Sequence, residues 1–108
     1  MSTTYNGTYG IIFLDARQIA VIQNFTVKIG NDGMIRIYVP EIKNYSMELF
    51  ISAFNRPLPY LTIQASVNGE NARIKKALID KMTVNARMNE PVVVKNVHIV
   101  ATVMEWVY

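Results

Sequence analysis

The sequence predicts a mainly β fold: a six-stranded antiparallel β-sandwich or partly open barrel with one short flanking α-helix, in the order βββαβββ. Apolar and polar residues alternate with period two along most of the 108-residue chain, as expected of strands with one buried face. Two turn sequences, Asn31-Asp32-Gly33 and Asn68-Gly69, separate alternating segments. Only residues 46–55 combine helical spacing with prolines that follow at once.

The length predicts a single domain, residues 1–108, with a modest core. Residues 1–6 are mostly small and polar, so we expect a flexible N-terminal arm. Residues 10–14 are apolar on both faces, as in a strand that is covered on both sides.

The second and third strands are predicted to form one long hairpin. Apolar residues occupy most odd positions of residues 18–29 and 34–39. Because directly opposed residues of a hairpin point to the same face, odd positions must pair with odd positions. A three-residue loop that ends at a left-handed Gly33 satisfies this requirement and pairs Ile29 with Ile35.

The predicted helix, residues 46–55, carries apolar residues at i, i+3, i+4 and i+7. We expect Ser46 to cap its first turn through its hydroxyl group. The residues expected to face the core are Met47, Phe50, Ile51 and Phe54.

Asn68-Gly69 predicts a two-residue type I′ turn that pairs Ile63 with Ile74. In the strand after this turn, the even positions from Ile74 to Met88 are predicted to be core and the odd positions a basic outer face. Charged residues interrupt the apolar stripe, so we expect a bend or bulge over residues 77–80.

A turn at Asn89-Glu90-Pro91 precedes the last strand, and a four-residue loop there would pair Val84 with Val97. The last strand, residues 93–106, has a second face that is too apolar for open water. This second face predicts a contact surface formed by Val100, Met104 and Trp106.

The residue types point away from catalysis. The chain has no cysteine and one histidine, His98, which excludes thiolate zinc sites and histidine metal clusters. The carboxylates lie mostly at predicted turns, and no phosphate-binding glycine loop or nucleophile elbow is present. We therefore expect no enzymatic activity, cofactor or metal.

A net charge of +3 is a mild bias, and the basic strand residues favour solvated faces over a phosphate-binding surface. Aromatic residues are not interleaved with them, as a base-stacking surface would need. The N-terminal residues carry neither a basic region nor a long apolar run, so we expect a soluble protein made in the cytoplasm.

In the order of its motifs, the chain resembles the tail-tube proteins of contractile phages and phage-derived, R-type bacteriocin-like injection particles, in a shortened form. The matching segments run in order through most of the chain: Gly10-Ile11-Ile12-Phe13-Leu14-Asp15, Gln18-Ile19-Ala20-Val21-Ile22, the helix before Pro59-Tyr60-Leu61-Thr62-Ile63-Gln64-Ala65, and Glu90-Pro91-Val92 before an alternating last strand. Two features depart from that family. Asn31-Asp32-Gly33 replaces a long extension, and the chain is basic where tube lumens are usually acidic.

The resemblance implies a structural virion protein that forms hexameric rings, which stack into the inner tube of a phage-like tail for the passage of DNA. It implies contacts with other copies of the chain and with sheath, tape-measure and baseplate proteins, no sequence-specific DNA binding and no membrane. The protein would be made in the bacterial host cytoplasm and would reside in the virion tail. Alternatives are a tube initiator or terminator, or a small nucleic-acid-binding β-barrel that uses basic strand faces.

The resemblance also assigns candidate sites. The long hairpin and the strands around residues 81–87 and 93–106 would form the inner sheet of the ring. The candidate lumen-facing residues are Asn24, Thr26, Lys28, Arg36, Lys81 and Asn85. The candidate subunit-interface residues are Tyr5, Asn31, Asp32, Val100, Met104 and Trp106.

Overall fold

A computed structural model of the chain describes residues 3–107 and confirms the predicted fold class: antiparallel β structure with six long strands in a ring and one short helix. In chain order the elements are β1 Thr3–Leu14, β2 Arg17–Ile29, β3 Ile35–Ile42, β4 Asn44–Tyr45, α1 Glu48–Phe54, β5 Leu61–Val67, β6 Glu70–Asn85, β7 Val93–Ala101 and β8 Val103–Trp106.

The six long strands pair in the order β1-β5-β6-β7-β3-β2, and pairing of β2 with β1 closes the ring. The short β4 pairs with β2, and β8 continues the line of β7 along β6. The seam between β2 and β3 is paired only where residues 26–29 meet residues 35–38. On the N-terminal side of residue 25, β2 separates from β3, and a groove of about 350 Å³ lies between the two strands. The barrel is therefore partly open.

Aliphatic side chains from all six long strands fill the barrel, together with the ring of Phe25. Helix α1 packs against β2 and β6, which lie on opposite sides of the ring, so it closes one end, called the helix end below. Leu49 of α1 is fully buried there. Elsewhere Tyr5 and Trp106 pack edge to face, with ring centroids 5.7 Å apart, against the core.

The predictions for the turns at Asn31-Asp32-Gly33 and Asn68-Gly69 are confirmed. Ile29 pairs with Ile35 across the first loop. Gly33 has a φ of +81°, and its N–H donates to the carbonyl oxygen of Gly30 at 3.1 Å. Asn68 and Gly69 both have positive φ, as a type I′ turn requires, and Ile63 pairs with Ile74.

Left-handed residues inside strands change which face is buried. Asn24, Lys76 and Asn96 have φ of 53°, 54° and 53°. The prediction that odd positions of β2 face the core throughout is wrong before Asn24, because Ala20 and Ile22 are buried there. After Asn24 the odd positions face the core as predicted: Phe25 and Val27 are buried, and the half-buried Ile29 packs against the core.

The predicted bulge over residues 77–80 is confirmed by a register shift of β6 against β7 between Ile79 and Lys81. A second irregularity lies at Lys76, one residue before the expected range, and it places Ala77 opposite Leu61. Because the alternation shifts there, the buried positions after it are odd, Ala77 and Ile79, and the prediction of an even core face after it is wrong. Of the even positions predicted to be core, Leu78 and Met82 are half-buried, and Val84, Ala86 and Met88 are exposed.

The predicted pairing of β6 with β7 is also wrong. Val84 pairs with Val94 instead of Val97, and the last pair before the turn joins Asn85 to Val93. Residues 86–92 therefore form a longer loop than the four residues expected.

The helix is shorter than predicted and buries a different face. Leu49 and Ser52 are fully buried, whereas Met47, Ile51 and Phe54 are exposed and Phe50 is half-buried. The predicted Ser46 cap is absent, because Met47 occupies the N-cap position and makes no side-chain cap hydrogen bond.

The predicted N-terminal arm is replaced by strand over residues 3–6, which pair with residues 26–29 of β2. Residues 1 and 2, the rest of that expected arm, lie outside the described residues.

Candidate functional site

Four adjacent strands, β2-β3-β7-β6, present one outer face, called the four-strand face below. One row across it runs Thr26, Tyr38, His98, Lys81, and the next row runs Lys28, Arg36, Val100, Leu78. Directly opposed residues share a face of the sheet. The structure therefore brings together four of the six candidate lumen residues: Thr26, Lys28, Arg36 and Lys81.

The other two candidate lumen residues lie apart from these rows. Asn24 lines the groove where β2 and β3 separate. Asn85 is exposed at the end of β6, where it pairs with Val93.

Two aromatic rings lie among the charges of the four-strand face. The ring centroids of Tyr38 and His98 are 5.1 Å apart and the planes are inclined by 51°. The Tyr38 hydroxyl donates to Oδ1 of Asn96 at 2.8 Å, which orients the ring. The expectation that aromatics are not interleaved with basic residues is wrong, because pairing of β3 with β7 joins positions that are distant in the sequence.

The rings and charges border a shallow groove of about 220 Å³. Its lining combines basic, acidic, aromatic and polar groups: Thr26, Lys28, Arg36, Tyr38, Asp80 and His98. Among residues 3–107, neither Lys28 nor Lys81 has an ion-pair partner.

The charge of Arg36 is balanced by Asp32 at the tip of the β2–β3 loop. Nη2 of Arg36 lies 3.2 Å from Oδ2 of Asp32, and the Met34 N–H donates to Oδ1 of Asp32 at 3.0 Å. The hydrogen bond from Met34, followed by the one from Arg36, lowers the pKa of Asp32. Because both side chains are more than half exposed, this pair adjusts local charge more than it stabilises the fold.

The six candidate interface residues do not form one surface. Asn31 and Asp32 are exposed at the loop tip, and Val100 is half-buried on the four-strand face. The other three, Tyr5, Met104 and Trp106, pack against the core.

The prediction that Val100, Met104 and Trp106 share an outward face is wrong. Met104 pairs with the buried Ile74 and Trp106 with the buried Ala72. Opposed residues share a face, so both side chains turn inward after the bend at Thr102.

The exposed apolar surface is concentrated at the helix end. Seven of the ten exposed large hydrophobic residues in the described chain belong to α1 and the segments around it: Met47, Ile51, Phe54, Tyr60, Val84, Met88 and Val92. Tyr45 links these segments, because its ring packs edge to face on Phe50 and its hydroxyl donates to the carbonyl oxygen of Val92 at 2.6 Å. This surface was not expected from the sequence, because five of these residues were predicted to face the core: Met47, Ile51, Phe54, Val84 and Met88.

The turn between β6 and β7 projects from the barrel. Residues 83–92, called the hairpin arm below, are all exposed. From Leu78 onward β6 pairs with β7 alone, so among residues 3–107 its other edge has no strand partner. An unpaired edge offers backbone donors and acceptors to another chain.

In the described part of the chain, no helix is both long and apolar enough to cross a membrane. Within the same residues, no three His, Asp or Glu side chains are grouped so that they could hold a metal ion. Compared with known proteins, the chain matches no protein-family model and no curated protein.

Proposed function

We propose that this chain is a structural virion protein that assembles into hexameric rings, which stack into the inner tube of a phage-like contractile tail and let DNA pass. One observation carries the proposal. The strands that the family resemblance assigns to the inner sheet are contiguous, in the order β2-β3-β7-β6. The outer face of these strands bears four of the six polar residues expected to line a lumen.

In such a ring each copy would turn its four-strand face toward the channel. Thr26, Lys28, Arg36 and Lys81 would then meet the passing DNA. The contacts would go to phosphates, which carry no sequence information. Sheath, tape-measure and baseplate proteins would be the partners, and the virion tail would be the location.

The basic character of the chain is reduced on this face. Asp32 pairs with Arg36, and Asp80 lies in the same groove. A nearly balanced surface holds phosphates weakly, because affinity for DNA rises with the number of phosphates that cations neutralise. Under this proposal, DNA would pass through the tube although its lumen is not acidic.

Light scattering coupled to size-exclusion chromatography, followed by negative-stain electron microscopy, tests this proposal over a range of protein concentrations. We expect six-membered rings and, at high concentration, tubes. Lys28→Glu and Lys81→Glu variants should still form rings, since these side chains would face the channel and not a neighbour. A wild-type chain that stays monomeric at every concentration would refute the proposal.

A second candidate function is binding of single-stranded nucleic acid by the barrel. The observation that favours it is the position of Tyr38 and His98 between Lys28, Arg36 and Lys81. Aromatic rings among basic side chains offer stacking surfaces for bases and charges for phosphates.

Fluorescence anisotropy with a labelled single-stranded oligonucleotide, at low and at physiological salt, measures this binding. Tyr38→Ala should weaken it by about tenfold, because stacking contributes about 1–3 kcal/mol per base. Tyr9→Ala is the matched control, since Tyr9 is another exposed tyrosine and does not line the same groove. Equal effects of the two variants, or no binding at low salt, would count against this function.

A further inference from the structure

His98 lies in the middle of the four-strand face. It is the only histidine of the 108-residue chain, and it stands between Tyr38 of β3 and Lys81 of β6 in one row across the sheet. Its half-buried side chain borders the groove of about 220 Å³ that Lys28 and Arg36 also line. A change in the charge of this imidazole ring therefore changes the charge of the surface proposed to meet DNA.

The imidazole ring is packed between the neighbouring strands. Its centroid lies 5.1 Å from that of Tyr38, whose hydroxyl donates to Oδ1 of Asn96 at 2.8 Å. Asn96 has a left-handed φ of 53° and lies on β7 two residues before His98. Because β3 and β6 flank β7 on opposite sides, the oriented Tyr38 ring packs on one side of the imidazole and Lys81 is opposed to it on the other.

The other charged groups of the four-strand face nearly cancel. Asp32 pairs with Arg36 at 3.2 Å, and Glu41 directly opposes Lys95. Arg87 and Glu90, which have opposite charges, lie outside these rows in the hairpin arm. One net positive charge per chain therefore remains while His98 is neutral, and protonation of His98 adds a second. The four cations and three carboxylates of the paired rows, the groove and the adjoining loop tip are Lys28, Arg36, Lys81, Lys95, Asp32, Glu41 and Asp80.

Histidine is the side chain type that ordinarily changes its charge between pH 5 and 8. Carboxylates ordinarily titrate below this range, and lysine and arginine above it. The hydrogen bond from the Met34 N–H, followed by the one from Arg36, lowers the pKa of Asp32, so this carboxylate stays ionised throughout the range. His98 is therefore the group of the four-strand face whose charge depends on pH between these limits.

We propose that protonation of His98 converts the four-strand face from a surface that releases DNA into one that retains it. The inference rests on the proposed function and names the regulation of the same surface. Affinity for DNA rises with the number of phosphates that cations neutralise. In a hexameric ring each copy would add one cation at the same level of the lumen, so DNA passes at neutral pH and is held at acidic pH.

Fluorescence anisotropy with a labelled DNA duplex, at about pH 5 and about pH 8 over a series of salt concentrations, tests this inference. For the wild-type chain, the slope of log affinity against log salt should be steeper by about 0.9 per chain at the acidic pH. His98→Gln should give equal slopes at both pH values, and His98→Arg should give the steeper slope at both.

Lys81→Gln is the matched control, because it removes a cation from the same row that does not depend on pH in this range. It should reduce the slope at both pH values and preserve the difference between them. A wild-type slope that does not change with pH, a His98→Gln variant that keeps the difference, or no DNA binding at low salt and acidic pH would each overturn the inference.

Proton NMR of the free chain gives an independent readout, since a single histidine makes the imidazole signals unambiguous. The wild-type affinity should rise as the pH falls and level off below the midpoint of the His98 titration. An imidazole that stays neutral down to pH 5 would contradict the inference. This comparison needs no substitution, so it decides the matter even if circular dichroism shows that His98→Gln does not fold.

Light scattering on the same samples separates this inference from the proposed tube. Rings at both pH values together with DNA binding that does not depend on pH would overturn the role of His98 and leave the tube in place. A wild-type chain that stays monomeric at every concentration would refute the tube, and the pH-dependent passage of DNA with it.

Discussion

Replacing Gly7 with alanine should destabilise the barrel through one contact. Gly7 pairs with Phe25 across β1 and β2, and a Cβ atom at this position would overlap the Phe25 ring. The ring is 2% exposed within the core, so it has little room to move. Overpacking costs about 1–3 kcal/mol, and the lower backbone entropy of alanine returns about 0.4–1 kcal/mol. By difference of those two terms the net loss lies in the range of about 0–2.6 kcal/mol, and we expect about 1–2 kcal/mol because the overlap is with a buried ring.

Urea denaturation followed by circular dichroism measures this loss. For a domain of this size the midpoint should fall by about 0.5–1 M with an unchanged slope. Gly10→Ala is the matched control, because its Cβ would lie 3.0 Å from Cγ1 of Ile22 and needs only a small shift. Gly7→Ala should also cost less in a Phe25→Leu background. Equal stability of Gly7→Ala and Gly10→Ala, or an unchanged cost of Gly7→Ala in the Phe25→Leu background, would refute the overlap with the Phe25 ring.

Three further predictions concern the loop and the helix. Gly33→Val should cost about 1–3 kcal/mol in the same urea assay, purely through the left-handed φ, since no atom lies within 4 Å of its Cβ position. Gly33→Asn should cost less. If both variants were as stable as the wild type, the left-handed conformation at Gly33 would be contradicted. Leu49→Ala should cost about 2–5 kcal/mol and Ile51→Ala about 0.5 kcal/mol or less in thermal or urea unfolding; the reverse order would contradict the helix face described above. Because the pKa of Asp32 is lowered in the folded state, its carboxylate stabilises the fold at pH values above the ordinary pKa of 3.8. This contribution is lost as the pH falls through the lower pKa of the folded state. The stability difference between wild type and Asp32→Asn, measured by urea midpoints from neutral to acidic pH, should therefore shrink below that value, and a constant difference would argue against the Met34 and Arg36 contacts.

The sequence determined the structure where a few neighbouring residues decide it. Asn68-Gly69 supplies the two positive φ angles of its turn, and Gly33 supplies the left-handed end of the other loop. Once these turns are set, the pairings of Ile29 with Ile35 and of Ile63 with Ile74 follow from alternation. Local backbone geometry requires no knowledge of the rest of the chain, which is why these predictions succeeded.

The irregularities depend on the whole barrel. Asn24, Lys76 and Asn96 adopt left-handed conformations inside strands, and nothing in the adjacent sequence requires them to do so. Such a conformation is strained for a residue with a Cβ atom, and it persists because surrounding pairing and packing stabilise it. Alternation read along the sequence therefore predicted the wrong buried face over parts of β2 and β6.

Tertiary contacts also decide which residues form the candidate surfaces. Helix α1 is apolar on both sides, so its sequence allows either Leu49 or Ile51 to face the core, and only the position of β2 and β6 selects Leu49. Tyr38 and His98 meet because β3 pairs with β7 across the ring. The sequence by itself determined most of the six long strands, two of the turns and the fold class, because these depend on local pattern. Tertiary structure alone decided which residues remain on the surface, because burial depends on which distant strands come together.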